Sequence, residues 1–222
     1  MYFSMRISLP DRPGMLGAMA TALSDGGANI VALDVIDREE GEAIDDLVVE
    51  APGGLAEALR RSAEDVSGVI VEAIQPMDAW RDPITPMELA AELVEGEPSD
   101  VLSKLVTGLP VALWATWAFV IRAGDKMPEV LDATPGAPSL DNVGTPWMPL
   151  DSPRRFAHAL WMPLAWRMGR LGYQAAAAPY RDKDTALLLV RRVGPRFRPS
   201  ELRQLGLIAR LAAAAEQGVA AV

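Results

Sequence analysis

The residues best suited to binding chemistry lie near the N-terminus, in the segment Pro10–Gly14 and at Asn29. Gly14 has no Cβ, so a ligand can approach the backbone closely at that point. If a helix starts just after Gly14, its free N–H groups can hold a carboxylate. Asp11 can pair with an ammonium group, and Asn29 can both donate and accept hydrogen bonds. Together these residue types suit a small zwitterion.

Each of these residues also has a purely structural interpretation. Asp11 can cap the helix and satisfy N–H groups in its first turn. Asn29 can close the turn that Gly26 and Gly27 form. The sequence leaves both alternatives open.

Catalytic chemistry finds little support in the sequence. Cys is absent, which excludes disulfides, zinc–thiolate sites and cysteine nucleophiles. No P-loop, Gly-x-Ser-x-Gly motif or cluster of metal ligands occurs. His158 is the single histidine and has apolar neighbours, which favours a structural imidazole over a haem or metal ligand. We therefore expect a protein that is not an enzyme and needs no metal or cofactor.

Charge divides the 222 residues into an acidic front and a mildly basic back. Residues 1–76 contain 5 basic and 14 acidic residues, residues 77–98 contain 1 and 6, and residues 99–222 contain 15 and 10. Such an asymmetry indicates separate domains. We predict a first domain over 1–76, a proline-punctuated linker with a short helix over 77–98, and a second domain over 99–222. The overall charge of −9 argues against nucleic acid as a partner.

The hydrophobic pattern of residues 1–76 predicts the order strand, helix, strand, strand, helix, strand. Residues 2–9 alternate apolar and polar side chains, as a half-buried strand does. Leu16, Met19 and Leu23 repeat at helical spacing, and glycines 26 and 27 end this helix. Strands over 29–36, 43–49 and 69–74 and a helix over 55–63 complete the pattern. This order predicts the ferredoxin-like βαββαβ fold of the α+β class.

The motif Leu9-Pro10-Asp11-Arg12-Pro13-Gly14-Met15-Leu16, followed by Gly27-Ala28-Asn29-Ile30, resembles the ACT domain. ACT domains are small regulatory modules that bind amino acids. The resemblance implies that a small amino acid lies between two ACT domains of a homodimer. The residues that it places near the ligand are Asp11, Arg12, Gly14, Met15, Leu16, Asn29 and Ile30.

The pattern of residues 99–222 predicts an antiparallel sheet with flanking helices. A helix over 99–109 is expected to end at Pro110, with strands over 113–122 and 129–134 after it. A long loop over 135–153 follows, of the kind that often carries function. Strands over 173–179 and 186–192 are expected to form a hairpin. The stretch Pro199–Glu216 has the pattern of an amphipathic helix.

The segments Ala186–Arg192 and Phe197–Leu205 resemble the end of a GAF domain, in which a final core strand leads into a long helix. The resemblance implies a second pocket over the sheet, below residues 135–172. The aromatic residues that can line it are Trp117, Trp147, Phe156, Trp161 and Trp166. The alternative is that these aromatic side chains only form core.

These observations predict a cytoplasmic, non-catalytic sensor. The N-terminus has no signal-peptide pattern, and the longest uncharged run, 17 residues between Lys104 and Arg122, is too short and too interrupted to span a membrane. We expect the ACT domain to bind a small amino acid and the GAF-like domain to pass the signal to a downstream protein partner. The alternative is a transcriptional co-regulator or protein-interaction module in which both domains mainly dimerise and bind no small ligand.

Overall fold

A computed structural model describes residues 1–39, 41–77, 85–141, 143–156, 161–163, 173–192 and 195–218. The chain divides into two compact units, Met1–Asp82 and Pro83–Val222. Each unit has its own sheet and its own hydrophobic core, so each is described by itself.

The first unit follows the predicted order of elements and confirms the βαββαβ arrangement. The elements are β1 (Tyr2–Pro10), α1 (Met15–Asp25), β2 (Asn29–Glu39), β3 (Glu42–Glu50), α2 (Ala56–Glu64) and β4 (Ile70–Met77). The four strands form one antiparallel sheet in the order β2-β3-β1-β4. Strands β2 and β4 are therefore the two edges of this sheet.

Strand β1 is buried on both faces, so the prediction of a half-buried strand was wrong. Its apolar residues pack in the core of the first unit, as expected. Ser4, Arg6 and Ser8, on the opposite face, are buried as well. Arg6 tolerates burial because Nε and Nη2 each donate a hydrogen bond of 2.6 Å to the Asp46 carboxylate. A bidentate pair of this kind satisfies both charges without water.

Helix α1 starts at Met15, and its buried face differs from the expected one. The helix buries Met15, Met19 and Leu23, whereas Leu16 is 40% exposed. The helical spacing grouped Leu16 with Met19 and Leu23, but Met15, four residues before Met19, lies on the buried face in place of Leu16. The end of the helix is where the glycine pair predicted it, and Gly27 adopts a left-handed φ of 80°.

The second unit is an antiparallel sheet with flanking helices, as predicted. It contains α3 (Thr85–Glu95), a single 3₁₀ turn (Pro98–Asp100), α4 (Val101–Ala112), β5 (Trp117–Arg122), β6 (Glu129–Ala133), β7 (Arg154–Phe156), β8 (Gln174–Tyr180), β9 (Asp182–Arg191) and α5 (Pro199–Glu216). The strand order is β6-β5-β9-β8-β7, and every pair is antiparallel.

The two faces of this sheet carry separate cores. Helices α3, α4 and α5 contribute apolar side chains to one core. The other core contains side chains of the predicted long loop, including Leu140, Val143, Trp147 and Leu150. The loop is therefore anchored on the sheet by its own apolar residues.

Pro110 does not end α4, contrary to the prediction. The helix continues to Ala112 with Pro110 inside it. Proline has no N–H to donate to the carbonyl four residues earlier, which here belongs to Val106. The Thr134 hydroxyl donates to that carbonyl instead, at 2.7 Å. The helix tolerates the proline because a side chain of another segment replaces the missing donor.

No helix among the described residues is long and apolar enough to cross a membrane. The uncharged run between Lys104 and Arg122 consists of most of α4, a turn and most of β5. His158 lies outside the described residues.

Candidate functional site

The loop between β1 and α1 has the features that the sequence predicted for binding. Gly14 precedes the helix with φ 89°, a left-handed conformation that other residues rarely adopt. A Cβ placed at Gly14 would contact nothing within 4 Å, so its conformation, and not its surroundings, requires glycine. The backbone N–H of Asp11 donates to the Gly41 carbonyl at 2.8 Å, which ties the loop to the β2–β3 turn.

The start of α1 is open to an anion. No side chain caps it, so the alternative in which Asp11 caps the helix does not hold. The N–H of Ala18 donates to Gly14 and that of Met15 to Arg12, at 2.9 and 3.4 Å. Within the described part of the chain, the N–H groups of Leu16 and Gly17 have no hydrogen-bond acceptor. Unpaired N–H groups at a helix start attract a carboxylate.

The carboxylate of Asp11 is exposed and has a cationic neighbour. Its Oδ2 lies 3.8 Å from Nε of Arg38, near the end of β2. Both side chains are well exposed to solvent, so this ion pair contributes little to stability. Asp11 therefore remains available for a ligand.

Asn29 lies at the opposite end of the sheet from Asp11. On strand β3, Glu42 pairs with Pro10, and Glu50 pairs with Asn29. The eight residue steps from Glu42 to Glu50 span roughly 26 Å at the usual rise of a strand. No small amino acid can contact both ends of one chain at once. The seven predicted residues thus form two separate groups, with Asn29 and Ile30 apart from the others.

The turn before β2 does not need Asn29. The N–H groups of Gly27 and Ala28 donate to the carbonyls of Ser24 and Leu23, at 2.9 and 3.0 Å. The backbone alone closes this turn. Asn29 is exposed, and its side chain is free to contact another molecule.

Asp45 is a residue of this region that the sequence analysis missed. It lies in β3 and is 3% exposed, although it is acidic. Burial raises the pKa of its carboxyl above the ordinary value of 3.8, while Arg38 opposes the shift and Asp46 and Asp11 add to it. The consecutive pair Asp45-Asp46 in an otherwise apolar strand was the available signal, because neighbouring strand residues face opposite sides and one acid must face the core.

The second unit has a groove at the place where the aromatic residues were predicted to line a pocket. The groove has a volume of about 580 Å³, and its lining includes Trp147, Phe156, Trp161 and Arg154. The three rings pack together with centroid distances of 4.8 to 5.5 Å. The guanidinium carbon of Arg154 lies 4.9 Å from the centre of the Phe156 ring.

One of the predicted pocket residues stands apart from this groove. Trp117 stacks on Tyr173 at 5.8 Å and is not part of the groove lining. Trp166 lies outside the described residues. The aromatic residues at the groove also belong to, or pack against, the core on this face of the sheet, so the core interpretation applies to them as well. Within the part of the chain that the structure describes, no group of three or more His, Asp or Glu side chains could hold a metal ion.

Comparisons with known proteins support the first of the two resemblances. Residues 3–61 match the ACT domain family. No curated protein matches the chain. One similar solved structure is the ACT domain of GTP pyrophosphokinase from Chlorobium tepidum, at 17% identity and a TM-score of 0.29, over 37% of this chain and 91% of that one.

Two further solved structures are similar to larger parts of the chain. One is the GAF domain of a protein described as a sensor histidine kinase from Pseudomonas syringae pv. tomato, at 16% identity and a TM-score of 0.42, over 61% of this chain and 84% of that one. The other is the chromophore-binding domain of a bacteriophytochrome from R. palustris, at 12% identity and a TM-score of 0.44, over 98% of this chain and 93% of that one. The match over residues 3–61 agrees with the predicted ACT domain; a GAF-like domain after it stays a prediction.

Proposed function

We propose that this chain, which carries an ACT domain followed by a GAF-like domain, is a non-catalytic regulatory protein that binds a small amino acid between two copies of its first unit. The GAF-like domain then transmits the bound state to a partner protein. The observation that carries the proposal is the uncapped start of α1 next to the exposed Asp11, which offers groups for a carboxylate and for an ammonium.

The separation of Asn29 from Asp11 supports the involvement of two copies. Strand β2 is an edge of its sheet, so it can pair with β2 of a second copy. In a two-fold symmetric antiparallel pair, the start of one β2 lies beside the end of the other. Asn29 of one copy would then lie near Arg38 and Asp11 of its partner. A dimer of this kind unites the two groups of predicted residues.

Binding of the ligand has a defined energetic consequence in this arrangement. A ligand that contacts both copies stabilises the dimer, and the dimer in turn raises the affinity for the ligand. The signal is a shift in the populations of monomer and dimer, and its size is limited by the difference in the ligand's affinity for these two states.

The proposal is tested by isothermal titration of the full chain with each of the twenty protein amino acids. We expect at least one of them to bind. Gly14→Val should abolish this binding, because a β-branched residue is strained at φ 89° and the loop must change conformation. Gly136→Val is the matched control: Gly136 is an exposed glycine of the second unit with φ 78°, and a Cβ there contacts nothing within 4 Å, so the substitution causes the same strain away from the site. It should bind as the wild type does.

A flat response of the wild type to all twenty amino acids would reject the proposal. If the protein were dimeric in that experiment, the result would favour the alternative of an interaction module that dimerises without a small ligand. Equal affinity of the wild type and Gly14→Val, with the fold of both intact by circular dichroism, would instead place the ligand away from this loop.

A further inference from the structure

Asp45 is a buried acid, and its Oδ1 has no hydrogen-bond donor among the described residues. Asp45 pairs with Ile7 across β1 and β3, so it shares the face of the sheet on which Ile7 is in the core. Its Oδ1 is buried and accepts no hydrogen bond from the described part of the chain. An ionised carboxylate in such a position is costly unless a cation or several donors accompany it.

Asp46, the next residue of β3, is an acid whose carboxylate does have a partner. Asp46 lies on the opposite face, where it accepts two hydrogen bonds of 2.6 Å from Arg6. Asp45 has no such partner, although the two acids are neighbours in sequence and in the same sheet. Asp45 therefore lacks a partner among the described residues because of the face on which it lies, and not because acids in β3 generally lack one.

The cation that acts on the Asp45 carboxyl also lies beside Asp11. Arg38 lowers the pKa of the Asp45 carboxyl, but its Nε also lies 3.8 Å from Asp11. The backbone N–H of Arg38 donates to Oδ1 of Asp37, whose Oδ2 is buried and accepts no hydrogen bond among the described residues. The guanidinium of Arg38 thus acts on both Asp45 and Asp11, which leaves an excess of negative charge. An ammonium group supplies both a positive charge and hydrogen-bond donors to an unpaired carboxylate oxygen.

The backbone beside Asp45 is irregular. On β2, Val35 pairs with Asp45 and Asp37 pairs with Ile44, so Ile36 is the extra residue of a bulge. A bulge interrupts the ladder of hydrogen bonds and redirects side chains, and bulges are frequent next to binding sites. One of the two irregularities in the β2–β3 pairing therefore lies next to the unpaired acid.

We propose that Asp45 is the residue that pairs with the ammonium group of the bound amino acid, with Asp11 in a secondary role. This inference rests on the proposed function and assigns the ammonium to a residue that the motif does not contain. The ligand class is a primary amine that also carries a carboxylate: the amine replaces the missing partner of Asp45, and the carboxylate is held at the start of α1. An acid that lacks the amine should bind weakly or not at all.

The test compares three variants of the full chain: Asp45→Asn, Asp11→Asn and the control Asp65→Asn, which changes an exposed acid at the end of α2. Each is titrated with the twenty amino acids and with propionate, which is alanine without its amine. We expect Asp45→Asn to lose about tenfold or more in affinity for every amino acid that the wild type binds. Asp11→Asn should lose less, Asp65→Asn should lose nothing, and propionate should not bind.

A second measurement separates a binding role from a folding defect. Without ligand at neutral pH, Asp45→Asn should melt about 2–4 °C higher than the wild type, because it removes an unpaired buried charge. A structural role for Asp45 predicts the opposite shift. Loss of binding together with a higher melting temperature therefore supports the inference.

The experiment distinguishes failure of this inference from failure of the proposed function. If the wild type binds an amino acid and Asp45→Asn binds it equally well, or if Asp11→Asn shows the larger loss, the inference is overturned and the proposed function stands. If the wild type binds none of the twenty, both are overturned.

Discussion

Arg191 holds three separate segments of the second unit together by hydrogen bonds from one buried side chain. Its guanidinium donates to the carbonyls of Leu113, Trp114 and Pro195, and to Oε1 of Glu201, at 2.7 to 2.8 Å. The side chain is only 1% exposed. The end of α4, the strand β9 and the start of α5 thus depend on a single cation.

This arrangement predicts a large effect for Arg191→Met. The variant keeps most of the volume but leaves the Glu201 carboxylate and three carbonyls without their donor, which should cost about 3–5 kcal/mol of the free energy of unfolding. Urea unfolding followed by tryptophan fluorescence measures this loss. The control is Arg122→Met, because Arg122 makes an exposed ion pair with Glu129 and should change stability by less than about 0.5 kcal/mol. Similar losses for both variants would contradict the role of Arg191.

For single residues, the sequence predicted which chemical groups could bind a ligand better than it predicted where those groups lie in the fold. The types and order of Asp11, Gly14 and Asn29 indicated groups for both charges of a zwitterion, and the structure leaves the loop groups open. It could not indicate that Asn29 lies at the other end of the sheet, because that depends on the pairing of strands distant in sequence. Asp45 was missed because its burial depends on the same pairing.

In helix α4, a side chain from another segment replaces the hydrogen-bond donor that is lost at Pro110. The Thr134 hydroxyl donates to the Val106 carbonyl at 2.7 Å and accepts the N–H of Ala118 at 2.8 Å. Thr134, the residue that follows β6, therefore connects α4 to β5. A prediction of the end of the helix from Pro110 alone cannot include this contact, since Thr134 is remote in sequence.

Thr134→Val should lower the free energy of unfolding by about 2 kcal/mol, because it leaves a carbonyl and an N–H unpaired. In a Pro110→Ala background the new N–H can reach the Val106 carbonyl, so the same substitution should cost about 1 kcal/mol less. A double-mutant cycle by urea unfolding measures the difference. Equal costs in both backgrounds would show that the hydroxyl does not replace the missing donor.

The other helices and strands could be predicted where a regular hydrophobic pattern continues over many residues. Helix α5 begins and ends where the pattern predicted, at Pro199 and Glu216. Strand β5 starts at Trp117 and not at Leu113. The difference has a physical reason, because the carbonyls of Leu113 and Trp114 bind the Arg191 side chain. A strand start set by a buried arginine cannot be read from local periodicity.

For the whole molecule, the central claim is that one ligand site needs two copies of the chain. The groups on the β1–α1 loop and Asn29 are separated by roughly 26 Å within one first unit, and the exposed edge β2 offers a way to join them across a two-fold axis. The resemblance to ACT domains implied a site between two copies, but the hydrophobic pattern alone could not, because the distance between Asn29 and Asp11 depends on how the strands pair.

Complementation between two defective chains tests this claim most directly. Gly14→Val removes the loop half of the site and Asn29→Ala removes the strand half, so neither variant alone should bind an amino acid that the wild type binds. In a mixed dimer, one site combines both defects and the other is intact. Co-expressed chains that pair at random should therefore recover about one quarter of the wild-type sites, with wild-type affinity, in a calorimetric titration. No recovery in the mixed sample, or full binding by either variant alone, would contradict a site shared between two copies.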